Sequence, residues 1–388
     1  MDFNNTKIAF SSKSNRDLRN ARILFLSLQS RALLVILKFF TNIALKFYLP
    51  ISWIVKPTLY RQFVGGESLE ECAKTTNFLM SYNITSVLDF SKEGGSTNED
   101  VNIAYNEIIG SIEYASTRDN IVFAVFKPTA LLPGTILDKA SADISSLTPE
   151  ELNEFNRFKE RVLELCKRAH NSNVRILIDA EHYKYQSIID SLAEQAMQLF
   201  NKQRAIVFHT LQMYRTDRYD YLLYIHDLSK REGFIPGIKF VRGAYMEQER
   251  REAKIGGYPD PIHPDKESTD KCFNDGLRYV TEHIGDFELF CGTHNYESTL
   301  LLASLLDKKG LSRSDKRVFF SQLYGMSDNI SFTLASEGYN VCKYVPYAPV
   351  RDVLPYLLRR AEENSSMSGQ TGRELDLINR EISRRKLL

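Results

Sequence analysis

The segment Tyr356-Leu357-Leu358-Arg359-Arg360-Ala361-Glu362-Glu363-Asn364 sets two guanidinium groups side by side. Glu363 stands four residues after Arg359 and three after Arg360, so on a helix it can brace either one. Paired arginines suit a ligand that takes two parallel hydrogen bonds, a carboxylate or a phosphate; a solvated charged helix end has the same composition. Lys127, at the end of the apolar run Ile121-Val122-Phe123-Ala124-Val125-Phe126, supplies a third cation. A lysine so placed can form a Schiff base or join the arginines around one anion, and with two arginines at hand the second role is the simpler. Other chemistries lack their residues. The seven histidines are dispersed, with no HExxH and no Cys/His metal spacing, so no metal is expected. There is no GxSxG elbow, no GxGxxG turn and no P-loop.

These groups need a scaffold. After residue 66, short β-branched or aromatic runs recur at 86–90, 121–127, 174–179, 205–211, 237–241, 287–291, 317–321 and 340–345. Each is mostly apolar, as strands covered on both faces should be. Helical patterns separate them. Thr148-Pro149-Glu150-Glu151 is a capping box with proline at the first helical position. It opens a helix with Phe155, Phe158, Val162, Leu165 and Ala169 on one face. Further helices are predicted at 185–200, 219–230, 269–283, 297–306, 329–336 and 350–364. Eight strands each followed by a helix predict an α/β fold, the (β/α)8 barrel; a doubly wound sheet usually carries a glycine-rich phosphate loop. In a barrel the chemistry collects where the strands end. Those ends carry Asp89, Lys127, Asp179, Gln212, Arg242, Thr293 with His294, Gln322 and Tyr347, so every predicted strand delivers a polar group to one rim.

Composition bounds the rest. In 388 residues, 43% are hydrophobic and 26% charged, which excludes disorder, collagen and a polytopic membrane protein. Five widely spaced cysteines without a CxxC pair point to a reducing compartment. The net charge of +1 hides an asymmetry: residues 1–66 hold ten basic and two acidic side chains, +8, which leaves −7 for the remainder. An acidic body excludes nucleic-acid binding, which would need basic patches there. Residues 1–66 thus form a basic, apolar arm and 67–388 the catalytic barrel. Ser27, Arg31, Lys38, Asn42 and Lys46 share one helical face in the arm, and Lys38 and Lys46 interrupt any run long enough to span a bilayer. An amphipathic helix lying in an anionic surface and an arm packed on the body are both open. The start also resembles a mitochondrial transit sequence in being acid-poor and rich in Arg and Ser, with Asp2 and Asp17 against it. No secretory signal is visible.

Four segments together resemble one family. They are Phe240-Val241-Arg242-Gly243-Ala244-Tyr245, Gly292-Thr293-His294-Asn295, Leu323-Tyr324-Gly325-Met326-Ser327-Asp328 and the Arg359-Arg360 segment. In this order they look like proline dehydrogenase of eukaryotic type, from about residue 58 to 366, and more weakly at Ala9-Phe10-Ser11-Ser12-Lys13-Ser14.

The resemblance implies a distorted (β/α)8 barrel that binds FAD, with the final helix over its mouth. L-proline would be oxidised to pyrroline-5-carboxylate by hydride transfer to flavin N5. The electrons would pass to ubiquinone at the matrix side of the inner mitochondrial membrane, the first step of proline catabolism. Carried over by matching positions, Arg359, Arg360 and Lys127 would hold the proline carboxylate. Tyr347 would pack on the substrate ring, with Tyr245 and Tyr356 nearby. Asp179 matches the acidic active-site position. Gln212 would face the flavin, and Arg242, Gly243, Ala244, Thr293, His294, the backbone near Ala180, and Glu363 would belong to the FAD site. One position departs from the bacterial pattern: Lys239 stands where bacterial relatives have an arginine near N5, and Arg242 where they have a lysine, as in the eukaryotic branch. Ammonium and guanidinium hydrogen-bond differently, so flavin electronics would differ. Two alternatives go with this reading. The first is a hydroxyproline dehydrogenase, which tends to place Ser at the position of Pro349; the second is a non-catalytic, membrane-associated barrel without its cofactor.

Overall fold

Among the described residues, eight strands run Ile84–Phe90 (β1), Ile121–Phe126 (β2), Arg175–Ile178 (β3), Val207–Gln212 (β4), Gly237–Val241 (β5), Glu288–Gly292 (β6), Val318–Leu323 (β7) and Val341–Tyr347 (β8). The computed structural model describes residues 1–30, 41, 52–91, 97–366 and 370–387, with backbone alone at 362–366, 370 and 371. The strands pair in chain order, all parallel, and β8 pairs back onto β1 to close a barrel. Each predicted strand is present. Parallel neighbours need a long crossover, and the helical patterns between the strands supply it. The capping box at Thr148 forms as expected and starts the helix Pro149–Asn171, which buries Phe155, Phe158, Val162, Leu165 and Ala169.

Alternation along the strands sorts side chains into two layers. One set fills the barrel. There the Phe123 ring meets Phe208, Phe290 and Phe319 edge-on, with centroids 5.0–5.2 Å apart. Each such ring, removed from water, contributes roughly 1.5–3 kcal/mol. The N-terminal end is closed by Arg175 and Glu288, 2.9 Å apart, with the guanidinium 5.2 Å from the Phe319 ring. The other set packs between the barrel and its helices, where Ile176, Leu211, Ile238, Phe240 and Phe320 are buried.

A separate apolar cluster covers the opposite end. The helices Asn15–Leu28, Val350–Ser366 and Gln370–Arg384 bury Leu18, Phe25, Val353, Leu357, Ile378 and Ile382 together. Arg385 fastens the two chain ends, donating to the carbonyls of Phe10 and Lys13 at 2.8 Å each. One expectation changes here. The helix over the mouth is not the final one, because Gln370–Arg384 follows it. The first 30 residues of the arm pack on the body, whereas Arg31, Lys38, Asn42 and Lys46 lie outside the described residues. Among the described residues no helix is long and apolar enough to cross a membrane.

Candidate active site

The C-terminal ends of the strands bring the expected charges together. Lys127, one residue past β2, donates to both carboxylate oxygens of Asp89 on β1, at 2.9 and 3.0 Å. Lys239 of β5 reaches Asp179, just past β3, at 2.5 Å. The second oxygen of Asp179 accepts the Tyr344 hydroxyl from β8 at 2.7 Å. The Lys239 ammonium lies 4.8 Å from the centre of the Tyr344 ring. Burial and the neighbouring Asp179 carboxylate push the Tyr344 hydroxyl well above the ordinary tyrosine value, so it remains a neutral donor. A buried pair of this kind gains little net stability once desolvation is counted. Its placement inside the rim therefore points to use rather than to folding. The helix after β8 roofs this group: Tyr356 adds to the electrostatic load on Tyr344, and buried Arg360 holds its guanidinium 5.1 Å from the Tyr356 ring.

A second group forms beside it. Arg242 is held on three sides, donating to Asp270, to the Thr293 hydroxyl at 2.7 Å and to the Ser298 hydroxyl at 2.9 Å. The His294 Nδ1 lies 2.9 Å from the Ser327 hydroxyl. Desolvation, with Lys343, Arg360 and Arg242 near, drives His294 down to about 3, so its ring is neutral at working pH. The amide oxygen of Gln212 is buried with no protein partner, an acceptor left for a ligand. Gly243 has φ +140, and a Cβ there would sit 2.4 Å from the Tyr214 ring, so only glycine lets the backbone lie over that ring. Ala244 beside it is exposed. Gln322, on the same face of β7 as Phe320, points out of the barrel into the helix layer and is spent on the fold, donating to the Thr293 carbonyl at 3.0 Å and accepting from Ser331 at 2.8 Å.

Some expectations are not met. Tyr347 does not face the barrel interior: it is 1% exposed, its hydroxyl donates to Glu107 at 3.3 Å, and its ring lies 5.5 Å from Phe90. Alternation along β8 gives the inward place to Tyr344 instead, and that rule was available from the sequence. Tyr245 lies against His182, with ring centroids 4.3 Å apart. The backbone of Glu363 belongs to the helix Val350–Ser366, but its side chain lies outside the described residues. Arg359 is half-buried on the same helix. Two further buried groups escaped the sequence reading. Glu181 accepts from the Thr129 amide at 2.9 Å and hydroxyl at 2.6 Å, and burial pushes it up to about 7. Lys343, fully buried, pairs with Asp328 at 2.9 Å, and Lys13 reaches the same carboxylate at 3.3 Å. The faint N-terminal resemblance thus falls on a segment that pairs with Asp328, in the third of the resembling segments.

Comparison with known proteins agrees with this fold. The family model described as proline dehydrogenase matches residues 72–373. The human protein named proline dehydrogenase 1, mitochondrial, is 41% identical over 245 residues, covering 62% of this chain and 41% of the human one. The carbapenem antibiotics biosynthesis protein CarD of Pectobacterium carotovorum subsp. carotovorum is 33% identical over 323 residues, 83% of each chain. The solved structure of proline utilization A from Bdellovibrio bacteriovorus, inactivated by N-propargylglycine, superposes with a TM-score of 0.73 at 18% identity. That match covers 93% of this chain and 38% of the other, so it speaks for the fold. The chain spans well under half the length of the human relative and of that structure.

Proposed function

The chain belongs to the proline dehydrogenase family, and from that premise we propose that it oxidises L-proline to pyrroline-5-carboxylate with FAD as acceptor. The observation that carries the reading is the convergence of Lys127, Asp179, Lys239 and Tyr344 at one barrel end, under Tyr356 and Arg360. The residues present fit FAD. The unpartnered oxygen of Gln212, the side-chain-free backbone at Gly243 and the pinned Arg242 offer an acceptor, a close approach and a fixed cation. Thr293, neutral His294, Ala244, the backbone near Ala180, and Glu363 complete the set proposed to hold it. When bound, FAD supplies the two-electron acceptor for a hydride from the proline ring carbon.

The chain's own residues do the rest. Arg359, Arg360 and Lys127 bind the substrate carboxylate, which fixes the ring by proximity rather than by acid–base work. Lys239 sets a positive charge inside the barrel, where negative charge grows on the acceptor as it is reduced. Asp179 and the Tyr344 hydroxyl hold that ammonium in place. The substrate nitrogen must be neutral to release hydride, so a mildly basic optimum follows.

Electrons are proposed to leave for ubiquinone at the inner mitochondrial membrane, matrix side, through contact made by the basic arm. Relatives named mitochondrial support the compartment. Trp53 and Ile54, 75% and 51% exposed with Lys56 beside them, support the surface contact.

The test is direct. Purified protein should be yellow, and anaerobic L-proline should bleach it. Protein that is colourless and stays so after soaking in FAD would overturn the reading and favour the barrel without cofactor. Faster bleaching by 4-hydroxyproline would favour the hydroxyproline branch.

A further inference from the structure

Two helices on the barrel's flank, Arg218–Glu232 and Lys266–Glu282, carry a constellation that the proposed oxidation does not use. His226 is buried on the first. His283 follows the second, and Asp286 lies in the turn that leads into β6, where its amide donates to the His283 carbonyl at 2.8 Å. One ligand atom from each of the three can be chosen so that all lie within 4.8 Å of one another. The His226 Nε2 is 3.0 Å from an oxygen of Asp286, and the two imidazole centroids are 4.9 Å apart. Because β6 begins at Glu288, the group sits by the N-terminal end of the barrel, away from the rim.

We propose that His226, His283 and Asp286 bind one divalent transition-metal ion of the zinc type, with water in the fourth position. Two imidazoles and a carboxylate suit zinc and its neighbours, whereas magnesium and calcium prefer oxygen alone. Tetrahedral bonds of about 2.0–2.1 Å place ligand atoms roughly 3.3 Å apart. The His226–Asp286 edge, at 3.0 Å, needs only a slight widening to that spacing, and His283 completes it by a side-chain rotation at the protein surface. The Tyr279 oxygen lies 2.7 Å from His226 Nδ1. With the ion bound, Nδ1–H donates to that oxygen and the Nε2 lone pair turns to the metal, the orienting bond that metal-bound histidines ordinarily make. Without it, the proton sits on Nε2 and donates to Asp286. The opposing charge is Lys230, 3.6 Å from Asp286, and its exposed ammonium can swing away. The spacing is invisible to a motif search because His226 comes from another helix, far earlier in the chain than His283 and Asp286.

The test uses the full-length holoprotein, stripped of metal by chelator and titrated calorimetrically with Zn2+. One saturable site per chain is expected, with a Tm rise on the order of 5 °C at saturation. His283→Ala and Asp286→Asn, both at accessible positions, should each weaken binding at least tenfold while proline-dependent dye reduction stays at the wild-type rate. Lys230→Ala should tighten binding. The proposal is overturned if wild-type protein shows no saturable site, if the His283→Ala/Asp286→Asn double variant binds Zn2+ as wild type does, or if Mg2+ raises Tm equally.

Discussion

Both ends of the barrel hold a cation and a carboxylate inside the ring of strands, yet the surroundings differ. At the N-terminal end, Arg175 and Glu288 lie against the Phe123 and Phe319 rings, and the other Glu288 oxygen accepts the Ala205 amide at 3.0 Å. The strands and the segments that lead directly into them, Ala205 and Lys316, complete that plug. At the C-terminal end, Lys239 and Asp179 have Tyr344 as their third member, and what lies above them is a helix that brings Tyr356 and Arg360. The comparison separates two uses of one motif. Where the strands themselves cap a buried pair, removing a partner damages folding; where a separate element covers it, the pair is available to a ligand.

The sharpest way to break this contrast is Arg175→Met. It strands Glu288 beneath the aromatic layer, and loss of one partner of a buried pair costs about 3–5 kcal/mol. Urea denaturation should show that loss, with kcat per folded molecule unchanged. A double variant, Arg175→Met with Glu288→Leu, should recover most of it. At the rim the order reverses. Lys239→Met should lower kcat for proline-dependent dye reduction by roughly 10²–10³, the usual effect of deleting one preorganised electrostatic group. Its stability loss should be the smaller of the two, because Asp179 keeps the Tyr344 bond. Equal stability losses, with kcat within tenfold of wild type, would make the two ends alike.

Arg360→Met tests the roof. A charge-assisted bond to a carboxylate contributes roughly 1.5–3 kcal/mol, so the proline KM should rise about ten- to a hundredfold. FAD should stay bound. If flavin is lost and the KM of reconstituted protein is normal, the guanidinium serves the cofactor instead.

The barrel was legible because period-2 apolar runs and capped amphipathic helices are local signals. Strand ends then named Asp89, Lys127, Asp179 and Arg242 without any knowledge of contacts. The cover was not legible. The helix Gln370–Arg384 is mostly polar, and its few apolar positions, Leu375, Leu377, Ile378 and Ile382, find their partners in residues more than 300 positions earlier as well as nearby. The same distance hid Lys13 beside Asp328. Tyr347 went astray for another reason: a motif match fixes a position in the chain, while alternation along β8 decides which face the side chain takes.

The finest test of the contrast is therefore Tyr344→Phe, which keeps the ring and removes only the hydroxyl. The lost bond, to a carboxylate that Lys239 still holds, contributes about 1.5 kcal/mol, the low end for a charged acceptor, so kcat/KM should fall by roughly tenfold. Lys239 stays in place, and the stability change should be small. The pH dependence adds a sign. In the folded protein the hydroxyl titrates well above its ordinary value of 10, so its stabilisation is fully present below that value. It is lost as pH rises beyond it, because the unfolded chain releases the proton first. Wild-type stability should accordingly decline above pH 10 more steeply than that of Tyr344→Phe, while the two kcat/KM profiles remain parallel between pH 7 and 9. A gap between those profiles that widens across this range would mean that the hydroxyl ionises during turnover. Tyr344 would then act as an acid or base itself, and the rim would differ from the plug in proton chemistry as well as in what covers it.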